Sequence, residues 1–121
     1  MANLTFNRKQ SREKEVKELF LDVAIGASGA PTLSRGQGVA SISRSGAGVY
    51  LITLGDTYQR LMHMDVKQLV ASAEDLKFQL VSEDVDGAKT ISFRCIAVAT
   101  ETDPSSGSRL LIKIDVKNSS V

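Results

Sequence analysis

The 121-residue chain predicts an all-β fold, an antiparallel β-sandwich or barrel of about seven short strands behind an extended N-terminal arm. Three observations carry that expectation. Apolar and polar residues alternate with period two over several segments, as in a strand with one buried face. Turn sequences close those segments at short intervals. No segment carries the apolar period of a long amphipathic helix. The composition, 42% hydrophobic and 24% charged, is that of one globular domain.

Residues 1–16 read as the arm and residues 17–121 as a single β domain. From Met1 to Glu18 the chain is polar, with Arg8, Lys9, Arg12, Lys14 and Lys17 interleaved with Glu13, Glu15 and Glu18, and with Leu4 and Phe6 interrupting it. A helix over Gln10 to Glu18 has almost no apolar face to bury. The stretch is therefore either a frayed terminus or an arm that orders on a neighbouring subunit, with Leu4 and Phe6 as its anchors.

The β domain opens with a strand over residues 17–25, where Leu19, Leu21, Val23 and Ile25 share one face and Glu18, Phe20, Asp22 and Ala24 the other. Residues 26–38, rich in Gly and Ser with one Pro, read as a long loop. Strands are expected over Val39 to Arg44 and Val49 to Leu54, joined as a hairpin by Ser45-Gly46-Ala47-Gly48. Asp56 is placed to cap a single helical turn through Thr57, Tyr58, Gln59 and Arg60. Beyond it, Met62 to Lys67 reads as a strand with Met62, Met64 and Val66 inward and His63, Asp65 and Lys67 outward.

Next, Leu76, Phe78 and Leu80 alternate with Lys77, Gln79 and Val81 before a Glu83-Asp84-Val85-Asp86-Gly87 turn. Ile91, Phe93, Cys95 and Ala97 then alternate with Ser92, Arg94 and Ile96. A turn from Asp103 to Gly107, in which Pro104 fixes its own φ, leads to the last strand. There Leu110, Ile112, Ile114 and Val116 alternate with Leu111, Lys113, Asp115 and Lys117.

Reactive side chains are scarce: one His (His63), one Cys (Cys95) and no Trp. An intrachain disulfide needs two cysteines and a Cys/His zinc site needs three or four ligands, so neither can be assembled, and no cofactor is expected. His63 reads as an exposed structural histidine, because a general base needs an orienting partner and a pocket. Cys95, in phase with Ile91 and Phe93, reads as a buried, unreactive thiol. The glycine-rich runs lack the Gly-Lys-[Ser/Thr] ending of a phosphate loop. The acidic run from Glu83 to Gly87 resembles half a calcium loop, but Lys89, Thr90 and Ile91 occupy its later positions and no closing Glu follows.

The formal net charge is +1, from 15 basic and 14 acidic residues, so no direct nucleic-acid partner is expected. No apolar run approaches the length of a signal peptide or a membrane span, which predicts a protein made and kept in a cytosol without a membrane partner. The N-x-[ST] matches at Asn3 and Asn118 are then fortuitous. Arg35, Arg44 and Arg60 could join the arm cations in a patch against an acidic partner, or could lie on a solvated surface.

Two stretches resemble small virion structural proteins of tailed bacteriophages: GVASISRSGAGVYLITLGDTYQRL from Gly38 to Leu61, and ATETDPSSGSRLLIKIDVKNSSV from Ala99 to Val121. The shared patterns are a G-V-x-S-I-x-R-x-x-x-G-x-Y-x-(I/V)-x-L-x-D-x-Y hairpin and a T-D-P-x-x-G-x-x-L-x-(I/L)-x-(I/L)-x-(L/V)-K-N-S-S-V tail. The resemblance spans about the last 85 residues and leaves residues 1–35 poorly matched.

The resemblance implies a non-enzymatic capsid decoration or cement protein that binds the major capsid protein on the head exterior and stabilises the head. It would be assembled in the bacterial host cytoplasm, and it implies no catalytic residues. A cyclic trimer or dimer of copies would cover sheet edges. The expected capsid or oligomer contacts lie on the arm and the 26–38 segment, at Leu4, Phe6, Arg8, Lys9, Arg12, Leu33 and Arg35, together with Arg44. The alternatives are a tail- or fibre-associated structural module and a carbohydrate-binding β-sandwich, the latter weakened by the absence of Trp and the presence of only two Tyr to stack on a sugar.

Overall fold

The structure, a computed structural model, describes residues 16–117. It is an antiparallel β-sandwich of two sheets with no α-helix among the described residues. Nine strands are present among the described residues: β1 (Val16–Ile25), β2 (Pro31–Gly36), β3 (Val39–Gly46), β4 (Val49–Leu54), β5 (Arg60–Leu69), β6 (Lys77–Asp84), β7 (Thr90–Ala97), β8 (Thr100–Glu101) and β9 (Arg109–Lys117). One sheet has the order β2-β1-β9-β5. The other has the order β3-β4-β7-β6, with the short β8 paired to β7.

Alternation dictates the packing. Leu19, Leu21, Val23 and Ile25 of β1 and Leu110, Ile112, Ile114 and Val116 of β9 point into the sandwich and are buried. Tyr50, Ile52 and Leu54 of β4 and Ile91, Phe93 and Cys95 of β7 meet them from the other sheet. The two inner strands of each sheet thus supply most of the core, as expected where inner faces interdigitate. Tyr50 and Phe93 stack with their ring centroids 5.5 Å apart.

Four expectations are corrected. The 26–38 segment is not one long loop: a 3₁₀ turn at Ala27–Gly29 leads into β2, and only Gln37 and Gly38 then link β2 to β3. Pro31 is compatible with a strand here because β2 is an edge, bonded on one side only, so its missing N–H leaves no gap in a central ladder. With β8, this raises the count from about seven strands to nine.

The helical turn after Asp56 does not form. Tyr58 is drawn into the core instead, its backbone N–H donating to the Val85 carbonyl at 2.8 Å. Val85, in the middle of the acidic turn, is itself buried and closes that end of the core.

Met62 is not inward. Leu61 pairs with Val116 and His63 with Asp115, so Met62 is the extra residue of a bulge. The phase shifts by one, and Leu61 packs against the core in place of Met62. A similar irregularity lies between Leu80 and Ser82 on β6, where Leu80 pairs with the buried Phe93 of β7 and is 48% exposed at the sheet edge.

The alternation on β9 yields a direct test. Ile112→Ala should cost about 2–5 kcal/mol in urea unfolding, through lost burial and a residual cavity, whereas Leu111→Thr, one residue away on the outer face, should stay within about 1 kcal/mol. Equal costs at the two positions would contradict the register.

Candidate functional site

Three places combine unusual chemistry or exposure: a polar node at one end of the sandwich, the outer face of the β2-β1-β9-β5 sheet, and the open side between β5 and β6.

The node is assembled by a sharp reversal after β7. Ala97 pairs with Thr100 across a two-residue turn, Val98 and Ala99, both with positive φ (49° and 65°), a backbone region that β-branched residues seldom enter. The reversal lays β8 beside β7 and carries Asp103 to the β3–β4 turn. One carboxylate oxygen of Asp103 accepts from the Gly48 backbone N–H at 2.7 Å and from Arg44 Nε at 3.0 Å, and the other accepts from Arg44 Nη2 at 2.8 Å.

Close approach explains two of the node's glycines. A Cβ on Gly48 would lie 2.5 Å from the Thr102 backbone nitrogen, and one on Gly29 would lie 2.5 Å from the Asp103 carboxyl carbon. Both also have positive φ, which a side chain would strain. The buried Tyr50 hydroxyl donates to the Gly29 carbonyl at 2.7 Å.

The electrostatics follow from the geometry. The Arg44 hydrogen bonds hold the Asp103 carboxyl below the ordinary aspartate range. Burial pushes the Tyr50 hydroxyl upward, with the Asp103 charge adding to it. Burial likewise pushes the Cys95 thiol up to about 12, which leaves it a protonated core residue at neutral pH. The Asp103 oxygens are already engaged by intramolecular donors, so the node joins three chain segments rather than presenting an open reactive group.

The outer face of the β2-β1-β9-β5 sheet is where apolar surface is exposed. Phe20 on β1 is 59% exposed and Leu111 on β9 is 41% exposed. Register brings charged neighbours to both: Phe20 lies opposite Lys113, Leu111 opposite Asp22 and Lys67, Lys113 opposite Asp65, and Asp22 opposite Arg35. These residues line a shallow basin of about 370 Å³. Arg109 forms a bidentate ion pair with Asp22, holding that carboxyl below its ordinary range, and Lys113 lies 3.1 Å from a Glu18 carboxylate oxygen. The result is an apolar patch inside a ring of charges of both signs.

The third place is the side of the sandwich away from the β2–β3 link. Edge strands β5 and β6 face each other there without a ladder between them. They bound a groove of about 300 Å³ lined by Met64, Val66, Leu76, Phe78, Leu80 and Phe93, among others.

Of the residues expected to make contacts, Leu4, Phe6, Arg8, Lys9 and Arg12 lie outside the described residues. Leu33 is half-buried and packs against the core. Arg44 is exposed but committed to Asp103, and Arg35 alone lines the apolar basin. His63 is exposed, as expected. Among the described residues no group of three or more His, Cys, Asp or Glu could hold a metal ion, and no helix is long and apolar enough to cross a membrane. Sequence reasoning did not single out Phe20 and Leu111, the large apolar residues exposed on this face. Their signal was present: each is a large apolar residue in the outward register of its strand.

No family model, curated protein or solved structure matches the chain.

The node yields an acid-range prediction. Because the folded-state titration of Asp103 lies below that of the unfolded chain, its contribution is complete above the unfolded aspartate range and is lost as pH falls through the lower folded value. In thermal melts between about pH 6 and pH 2, Asp103→Asn should be less stable than wild type at the upper end, and the difference should shrink toward the lower end. A difference independent of pH would contradict this role.

Proposed function

We propose that the chain is a non-enzymatic structural protein of a tailed-phage virion, a decoration or cement protein on the head exterior that binds the major capsid protein and stabilises the head. The observation that carries this reading is the basin around Phe20 and Leu111, an apolar patch ringed by charges on the outer face of a sheet. An apolar centre with a polar rim is the anatomy of a protein-binding surface. The hairpin and tail sequences, which resemble those of small phage virion proteins, give the partner its class.

The physics of such a role is additive. Each copy contributes buried area across a subunit boundary, and the symmetry of a shell repeats that contribution. A stable contact of this kind buries about 1,200–2,000 Å² in total, more than the basin alone provides, so neighbouring charged residues such as Arg35 and Lys67 would form its rim.

Purified heads lacking the protein provide the test. Added protein should bind saturably and raise the temperature at which the heads release DNA. The double variant Phe20→Thr/Leu111→Thr, which keeps strand-compatible side chains on an already exposed face, should need about tenfold or more concentration for half occupancy. Unchanged occupancy would remove this face from the attachment surface, and absence of wild-type binding would overturn the capsid reading itself.

A further inference from the structure

The free edge of β5 is complementary to itself. We propose that two copies of the chain pair antiparallel along β5, about a two-fold axis at Val66, so that their four-stranded sheets join into one continuous sheet.

β5 differs from the other edges of the sandwich. β2 begins at Pro31 and its ladder to β1 slips between Asp22 and Val23, β3 carries two such shifts, β6 carries one, and β8 is two residues long. Bulges, Pro and short length are devices that keep an edge from pairing. On β5 the one shift lies between Leu61 and His63, and from His63 to Leu69 the ladder to β9 runs without interruption. Its outer backbone groups therefore present a regular template for another strand.

Charge decides which strand fits. Asp65 and Lys67 are exposed on the outer face, and neither enters an ion pair among the described residues. Lys113, opposite Asp65 on β9, has its ammonium 3.1 Å from Glu18 instead. A half-turn about the sheet normal at Val66 sets Asp65 opposite Lys67 of the second copy, and Lys67 opposite its Asp65. Opposed side chains in an antiparallel pair share a face with Cβ atoms about 4.5–5.5 Å apart, so both ion pairs can close. Moving the axis to Asp65 or to Lys67 would oppose like charges, which is unfavourable. Moving it to Met64 would draw the bulge residue Met62 into the new ladder. The register at Val66 uses both charges and keeps the ladder regular.

Packing agrees with this register. Met64 and Val66 line the groove on the inner face, beside Phe78 and the 48%-exposed Leu80 of β6. The same half-turn brings the two grooves face to face across the axis and gives those side chains apolar neighbours. Leu69, 51% exposed, comes to lie opposite His63 of the second copy. Such a contact is isologous and closed, so it ends at a dimer and leaves no β5 edge open to further addition.

This inference is independent of the capsid reading, and its test uses the full chain free in solution. Sedimentation over a concentration series should show a monomer–dimer equilibrium, and a monomer at every concentration, or a larger assembly, would overturn the proposal. Lys67→Glu and Asp65→Lys should each raise the dimer dissociation constant about tenfold or more, since each opposes like charges twice. An equimolar mixture of the two variants should form dimers again, because one strand then offers only cations at these positions and the other only anions. Dimers that neither variant weakens, or a mixture as weak as its components, would overturn the proposal. Should either variant disturb folding, Val66→Cys provides the companion measurement. Residues opposed on the axis have Cα atoms within disulfide reach, and Cys95 is buried, so mild oxidation should link two copies through the new thiol. Gln68→Cys, which faces Met64 of the second copy, should stay unlinked. No link from Val66→Cys, or equal linking from Gln68→Cys, would overturn the proposal.

Discussion

One polar node, buried at Tyr50 and open to solvent at Arg44, holds three separate chain segments at one end of the sandwich. Tyr50, on an inner strand of one sheet, reaches the carbonyl of Gly29 in the turn that follows β1 of the other. Asp103, on the connection between β8 and β9, packs against Gly29 and binds Arg44 and the Gly48 amide of the β3–β4 hairpin. Hydrophobic burial by itself is non-directional and would tolerate sliding of one sheet over the other. Directional bonds with glycines at the points of closest approach restrict that freedom. The positive-φ pair at Val98 and Ala99 is the strained reversal that brings Asp103 into place.

The legibility of the sequence followed the regularity of the backbone. β1, β7 and β9 were readable almost residue by residue because each alternates over most of its length, and apart from Lys117 their buried positions are the inward ones. Reading failed where the backbone slips or where composition misleads. The bulge at Met62 moves one residue out of phase, which a strict period-two reading cannot anticipate. β2 has the Gly, Ser and Pro content of a loop, yet an edge strand that bonds on one side tolerates that content. Tyr58 and Val85 sit in polar surroundings in the sequence but meet in the fold, a long-range contact with no local signature.

The candidate site was less legible than the fold for a related reason. Arginines were favoured by residue type, but type does not say which charges are already spent. Arg44 is held by Asp103, 59 residues away, and Arg35 is the one favoured arginine among the described residues that lines the apolar basin. The better signal lay in exceptions to the alternation. Phe20 and Leu111 occupy outward positions where a solvated sheet normally carries polar side chains, and it is on these exceptions that the proposed contact face rests. On the proposed reading the chain would act through the shape and apolarity of its faces, and its formal net charge of +1 suits close packing beside neighbours.

Location on the particle bears most directly on that account. Electron cryomicroscopy of virions carrying the tagged protein, even at low resolution, should place its density on the outer head surface at symmetry-equivalent positions of the capsid lattice, with the outer face of the β2-β1-β9-β5 sheet turned toward the shell. Density confined to the tail or fibres, or purified particles without the protein, would contradict it.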